Sequence, residues 1–174
     1  MIMADVLNLY FAVNKKFPER RLDFEKYLDL FRSKGEIFRA VAYGIDRDPA
    51  KSMKFKGMLA SLGYIVRYRQ VQSKYAINNY EIIFDTMRTL NMFDVFVLGS
   101  SDFNMYPLCK FLKEQGKEVI VASCYIPHEL REIADSYIDL SSAYMKEPTN
   151  DLDSNQQFGD EPENFEEPTL EIPI

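Results

Sequence analysis

The chain has 174 residues, 47% hydrophobic and 14% aromatic, enough apolar material for one globular domain with a proper core and too much for a wholly disordered chain. Its net charge of -6 is unevenly placed: residues 147 to 174 hold nine acids and no base, leaving residues 1 to 146 with 21 bases against 18 acids. No apolar run nears the length of about eighteen residues that a membrane span needs, and "MIMADVLNLY" lacks a basic start before a long apolar stretch, so a cytoplasmic protein without membrane contact is expected.

The elements alternate along the chain. "MIMAD" is a short strand ending at Asp5, followed by Asn8 and by "LYFAV", which is apolar enough to pack as a helix. "LDFEKYLDLFRSKG", residues 22 to 35, puts Leu22, Phe24, Tyr27, Leu28 and Phe31 on one side of a helix closed by Gly35. "EIFRAVAYGI" (36 to 45) is a strand, "MKFKGMLASLGY" a helix closing with Gly63, and "YIVRYRQV" (64 to 71) a strand. "NNYEIIFDTMRTL" carries Tyr80, Ile83, Phe84, Met87 and Leu90 at helical spacing, which predicts that this face is buried. Then come a strand at "MFDVFVLGS" (92 to 100), a helix at "PLCKFLKEQGK" stopping at Gly116, a strand at "KEVIVASC" (117 to 124) and a weaker one at "SYIDLS" (136 to 141). Cys109 and Cys124 fall in a helix and at a strand end and read as reduced core thiols, not as a disulfide or a zinc site. Strands alternating with helices imply right-handed crossovers and a three-layer α/β/α sandwich around a mainly parallel sheet. Ligands of such folds bind outside the carboxyl ends of the strands.

That rule directs attention to the acids at strand ends. In "VLGSSDFNMYPL" Asp102 follows an apolar strand and precedes a helix, where it is either an N-cap or a site residue. Asp5 ends another strand and arrives at the same edge. Asn79 and Asp85 lie six residues apart, on roughly the same face of one helix. Carboxylates converging on strand ends suit Mg²⁺ or Mn²⁺, which take oxygen ligands and keep waters for phosphoryl chemistry. His128 reads as a surface or capping residue, and Gly99 belongs to no nucleotide-binding glycine string. Residues 1 to 90 hold 16 bases against 10 acids, clustered at Lys15, Lys16, Arg20 and Arg21, at Lys51, Lys54 and Lys56, and at Arg67 and Arg69; the clusters suit a polyanion or simply solvated helix faces.

These motifs together resemble the NYN domain family of the PIN-like, metal-dependent ribonuclease superfamily. The resemblance is carried by "DVLN" with Asp5 and Asn8, by the Tyr43-Gly44 pair, by Gly63, by "AINNYEIIFDTM" in place of a Lys-Gly-x-Asp segment with a second Asp, by "LGSSDF" in place of Ser-Gly-Asp-x-Asp-Phe, and by "ADSYIDLS". It spans essentially residues 1 to 141. Matched position by position, Asp5, Asn8, Asp85 and Asp102 are kept as catalytic residues. Asn79 stands at one acid position, Ser100 at another and Ala76 at the lysine, with Lys74 nearby; the spacing between Phe103 and Pro107 is also longer than usual. The resemblance implies a ribonuclease in which Asp5, Asp102 and Asp85 hold Mg²⁺ or Mn²⁺ directly or through water, while Lys74, Asn79, Ser100 and Ser101 contact substrate. With two carboxylates replaced, one metal fits better than two. The partner implied is RNA, or DNA; the contrasting reading is a catalytically degenerate module that binds nucleic acid or protein, and a homo-oligomer is open to either.

The domain is expected to cover residues 1–143, with residues 144–174 as an acidic tail. From about Lys146 periodicity is lost, Pro148, Pro162, Pro168 and Pro173 appear, and the charge has one sign, the composition of a disordered segment. Three roles suit it: a solubilising tail, a docking peptide for a protein partner, or an autoinhibitory mimic of nucleic acid lying on the basic core.

Overall fold

The computed structural model describes residues 1–46, 48–70 and 79–147; Lys74, Ala76 and the acidic segment from residue 148 lie outside them. In chain order the elements are β1 (Ile2–Asp5), α1 (Val6–Lys16), β2 (Arg21–Leu22), α2 (Phe24–Arg32), β3 (Ala40–Asp46), α3 (Pro49–Ser61), β4 (Ile65–Gln70), α4 (Asn79–Arg88), β5 (Val95–Gly99), α5 (Tyr106–Glu114), β6 (Glu118–Ser123), α6 (His128–Ile133), β7 (Ser136–Asp139) and β8 (Met145–Lys146). Six strands form one sheet in the order β4-β3-β1-β5-β6-β7, every neighbouring pair parallel. This is the α/β sandwich that the alternating pattern predicts.

Sheet strands covered on both faces read as continuous apolar runs, and β1 and β3 are buried at every residue. One face packs Ile2, Ala4, Ala42 and Ile120 under α1, α2 and α3, which contribute Leu9, Val13, Tyr27, Leu28 and Leu59. The other packs Met3, Val41, Tyr43, Phe96, Leu98 and Val121 under Ile82 of α4, Leu108 and Leu112 of α5, and Leu130 of α6. The expected stripe of α2 is buried throughout, at Leu22, Phe24, Tyr27, Leu28 and Phe31. Gly63 and Gly116 follow α3 and α5 with φ of 98° and 73°, a left-handed conformation that glycine adopts without steric cost. Both cysteines are free and buried.

The face of α4 is a correction. Its buried residues are Asn79, Ile82, Asp85 and Thr86, whereas Tyr80, Phe84 and Met87 of the predicted face are 65%, 67% and 43% exposed. The reason lies in the strand beneath. β4 is the sheet edge and sends up Arg67 and Arg69, which pair with Asp85 at 3.0 Å and Glu81 at 3.5 Å. A helix laid over two guanidinium groups is held by its acids, so its polar stripe faces inward.

A second difference concerns the end of the domain. β8 pairs antiparallel with β2, Arg21 opposite Lys146 and Leu22 opposite Met145, and Met145 is buried in the core. The packed chain therefore runs past residue 143. A two-residue strand has no period to read in a sequence, so this pairing is visible only in the fold.

Candidate functional site

The strand order places a topological switch point between β1 and β5. From β1 the chain builds outward through β3 and β4, then returns to lay β5 on the other side of β1. The crevice beyond the carboxyl ends of two such strands is where open parallel sheets bind ligands. Ala4 pairs with Gly99, so Asp5 and the Ser100–Ser101–Asp102 segment leave the sheet side by side.

The two acids at this crevice are helix caps as well as candidate ligands. Asp5 caps α1, its Oδ1 accepting the Asn8 N–H at 3.2 Å. Asp102 caps the 3-10 turn at residues 103–105, its Oδ1 accepting from Asn104 N at 2.9 Å and Asn104 Nδ2 at 2.8 Å. Its other oxygen accepts from Asn79 Nδ2 at 2.7 Å. Asn79 opens α4, whose N-terminal end carries partial positive charge that favours an adjacent carboxylate. In each acid a single oxygen serves the cap.

The neighbouring polar groups hold this arrangement. Asn8 Oδ1 accepts the Ser101 N–H at 2.6 Å, tying α1 to the loop after β5. Ser100 is 0% exposed and its Oγ accepts the Asp102 N–H at 3.1 Å, so it shapes the turn from inside. Ser101 Oγ shares a hydrogen bond of 2.6 Å with Ser123 Oγ at the end of β6. Lys74, the remaining expected contact, lies outside the described residues.

Asp85 is engaged differently from the other two acids. Its Oδ2 accepts from the Tyr43 hydroxyl at 2.6 Å and lies 3.0 Å from Arg67 Nε. Tyr43 keeps its proton, because burial and then the Asp85 carboxylate push its pKa far up. Among the described residues no three His, Cys, Asp or Glu side chains gather where they could hold a metal ion. Mg²⁺, however, needs only one or two carboxylates and keeps several waters. Asp5 and Asp102 are two carboxylates at this edge, and Asn79 adds a neutral oxygen: it is only 5% exposed and its Oδ1 has no hydrogen-bond partner among the described residues. An orphaned buried acceptor of this kind marks the place of a missing donor or ion. The oxygen donors are of the chemical kind that a hard divalent cation takes.

Sequence reasoning missed a second group at the same edge. Tyr68 on β4 lies flat across Gly44 of β3, its register partner; a Cβ on Gly44 would stand 2.5 Å from two ring carbons. Its hydroxyl is buried with no hydrogen-bond partner among the described residues. Burial raises its pKa strongly and the nearby Asp46 and Asp5 carboxylates raise it further, so the group can act only as a proton-bearing donor. Lys56 sits 5.7 Å from the ring centroid and pairs with Asp46 at 2.5 Å. The signal was the Tyr43-Gly44 pair, but it takes the cross-strand register to see what the missing Cβ makes room for.

Several of the basic residues read as polyanion contacts are committed within the fold. Lys16 pairs with Asp139, Arg20 with Glu147 and Lys51 with Asp48, besides the pairs of Lys56, Arg67 and Arg69. Lys15 instead lies 6.0 Å from the ring of Tyr125, which is exposed just beyond β6 at the edge where Asp5 and Asp102 emerge.

The NYN domain family matches residues 1–141. The low amplitude and bright protein LabA of Synechococcus elongatus is 29% identical over 182 aligned positions, covering 94% of this chain and 90% of that protein. A crystal structure of a protein of unknown function from Vibrio parahaemolyticus superposes with a TM-score of 0.76 at 20% identity, covering 83% of this chain and 94% of the other, a likeness of fold.

Proposed function

The chain belongs to the NYN domain family, and from that premise we propose that it hydrolyses RNA phosphodiester bonds with one Mg²⁺ or Mn²⁺ at the crevice between β1 and β5. Family membership supports a PIN-like nuclease fold, and that class generally depends on a divalent metal. The observation that carries the proposal for this chain is the buried, unpartnered Asn79 Oδ1, on a side chain whose amide group already bonds Asp102.

Asp5, Asp102 and Asn79 Oδ1 hold the ion in this reading, directly or through water. A divalent ion held there would supply Lewis-acid activation of water and charge stabilisation at the phosphate. The protein does the positioning. Asn79 Nδ2 and the α4 N-terminus fix the Asp102 carboxylate, and the Asn8 bond to Ser101 fixes the loop that carries it. The Tyr68 hydroxyl, buried near Asp46 and Asp5, keeps its proton and backs this edge of the sheet. Asp85 is a positioning residue that clamps α4 to β3 and β4 through Tyr43 and Arg67. Lys15 and Tyr125 receive the neighbouring RNA backbone and base.

The test uses the full chain with single-stranded and structured RNA and Mn²⁺ or Mg²⁺, beside Asp5→Asn and Asp102→Asn. Asn caps a helix about as well as Asp, so both variants fold while losing a ligand charge. Cleavage should fall by at least about 100-fold in each. Cleavage unchanged in both sinks the assignment, and RNA binding without cleavage in the wild type favours a degenerate binding module.

A further inference from the structure

Immediately beside Asp102 the surface opens into a pocket of about 300 Å³ lined by Phe103, Asn104, Tyr106, Pro107 and Glu129. This is near the lower end of the range, roughly 300 to 1,000 Å³, that small ligands occupy. Its walls come from two elements: the turn that Asp102 caps, running into α5, and the first turn of α6. Phe103 is 39% exposed, a high value for a ring with apolar neighbours. Two acceptors stand on the lining beside the Tyr106 hydroxyl. Asn104 spends its Nδ2 on Asp102 Oδ1 at 2.8 Å, so its amide offers the pocket an acceptor oxygen. Glu129 is exposed and in no ion pair among the described residues, and an ionised carboxylate can only accept.

We propose that this pocket is a base subsite that receives a guanine of the RNA next to the scissile phosphate, with Glu129 as its specificity-determining residue. The inference rests on the nuclease reading above for its substrate. Single-stranded RNA is read by splaying a base out, stacking it on an aromatic ring and bonding its Watson–Crick edge. Phe103 and Tyr106 supply rings and Glu129 supplies the edge partner. Among the four bases, guanine alone carries two adjacent donors on that edge, N1–H and the N2 amine, and these match the two oxygens of a carboxylate. Adenine and cytosine each pair one donor with an acceptor that Glu129 would repel, and uracil presents a single N–H between two carbonyls. Asn104 links the subsite to the reaction centre, because the residue that lines the pocket also holds Asp102.

The test is binding of the full chain, in EDTA so that nothing is cleaved, to fluorescent oligouridylates carrying one central guanosine, inosine, adenosine or cytidine. The wild type should prefer guanosine over adenosine by about tenfold or more, with inosine, which lacks the N2 amine, in between. Glu129→Gln should bring all four within about twofold while oligouridylate affinity is kept, and Phe103→Ala should weaken every oligomer by about tenfold. A wild type with no guanosine preference, or a preference that survives Glu129→Gln, overturns the subsite. Guanosine-selective binding with no cleavage on adding Mn²⁺ supports the subsite and overturns the nuclease reading. Cleavage without base preference does the reverse, and failure to bind any RNA overturns both.

Discussion

Substituting Asp85 by Asn separates a ligand from a clamp. The carboxylate is 8% exposed and its Oδ2 meets both the Tyr43 hydroxyl, at 2.6 Å, and Arg67 Nε, at 3.0 Å. A hydrogen bond to a charged group contributes about 1.5–3 kcal/mol and a neutral one about 1 kcal/mol. Asn keeps an acceptor for Tyr43 and loses the charge. Arg67 is half-exposed, so solvent screens its share to at most about 1 kcal/mol. The expected loss is about 1–3 kcal/mol, which for a chain of this size lowers Tm by roughly 3–10 °C. Tyr43→Phe removes the same bond, so the double variant should lose less than the sum of the two. Urea denaturation in EDTA reads the stability, and a Mn²⁺ titration beside Asp102→Asn reads the site. An Asp85→Asn protein of wild-type stability that loses Mn²⁺ affinity as Asp102→Asn does refutes the reasoning, because Asp85 would then be a ligand and not a clamp.

The orientation of α4 is tested by contrasting two apolar residues two positions apart. Ile82→Ala, at a fully buried position, should cost about 2–5 kcal/mol in urea denaturation, whereas Phe84→Ser on the exposed face should change stability by less than about 0.5 kcal/mol. Gly44→Ala forces a methyl against the Tyr68 ring and should cost about 1–3 kcal/mol, a cost that largely vanishes in a Tyr68→Ala background. Asp135 is held below its ordinary pKa of 3.8 by the Lys113 hydrogen bond and then by the Val119 N–H. A depressed folded pKa means stability that is present above 3.8 and lost as pH falls through the folded value. The gap in Tm between wild type and Asp135→Asn should therefore close as pH falls below that range.

The architecture was legible because parallel strands covered on both faces announce themselves as apolar runs, and because Asp5 and Asp102 stand at strand ends where the chain turns into helices. The role of Asn8 was only half legible. Its place three residues after Asp5 is a cap pattern, but its bond to Ser101 spans 93 residues. The inward face of α4 was not legible at all. Residues 79, 82, 86 and 89 and residues 80, 84 and 87 both follow helical spacing, and hydrophobicity favours the wrong stripe once Arg67 and Arg69 lie beneath the helix. Tyr68 was hidden for a related reason: its meaning comes from Gly44 in the next strand, a neighbour that only the register of β3 and β4 supplies. Ser100 shows a related limit, since its motif position says nothing of its complete burial or of the bond it accepts from the Asp102 N–H.

The most direct test of the one-metal crevice is the Mn²⁺ dependence of RNA cleavage by Asn79→Asp compared with the wild type. The substitution adds a carboxylate against Asp102, where Asn79 Nδ2 now stands 2.7 Å away, and affinity for a hard cation follows the number of charged oxygens around it. Cleavage by Asn79→Asp should reach half its maximum at a Mn²⁺ concentration lower by about tenfold or more, the equivalent of about 1.4 kcal/mol. An unchanged Mn²⁺ requirement, or cleavage that needs no divalent metal in either protein, would contradict a metal held by Asp5, Asp102 and residue 79.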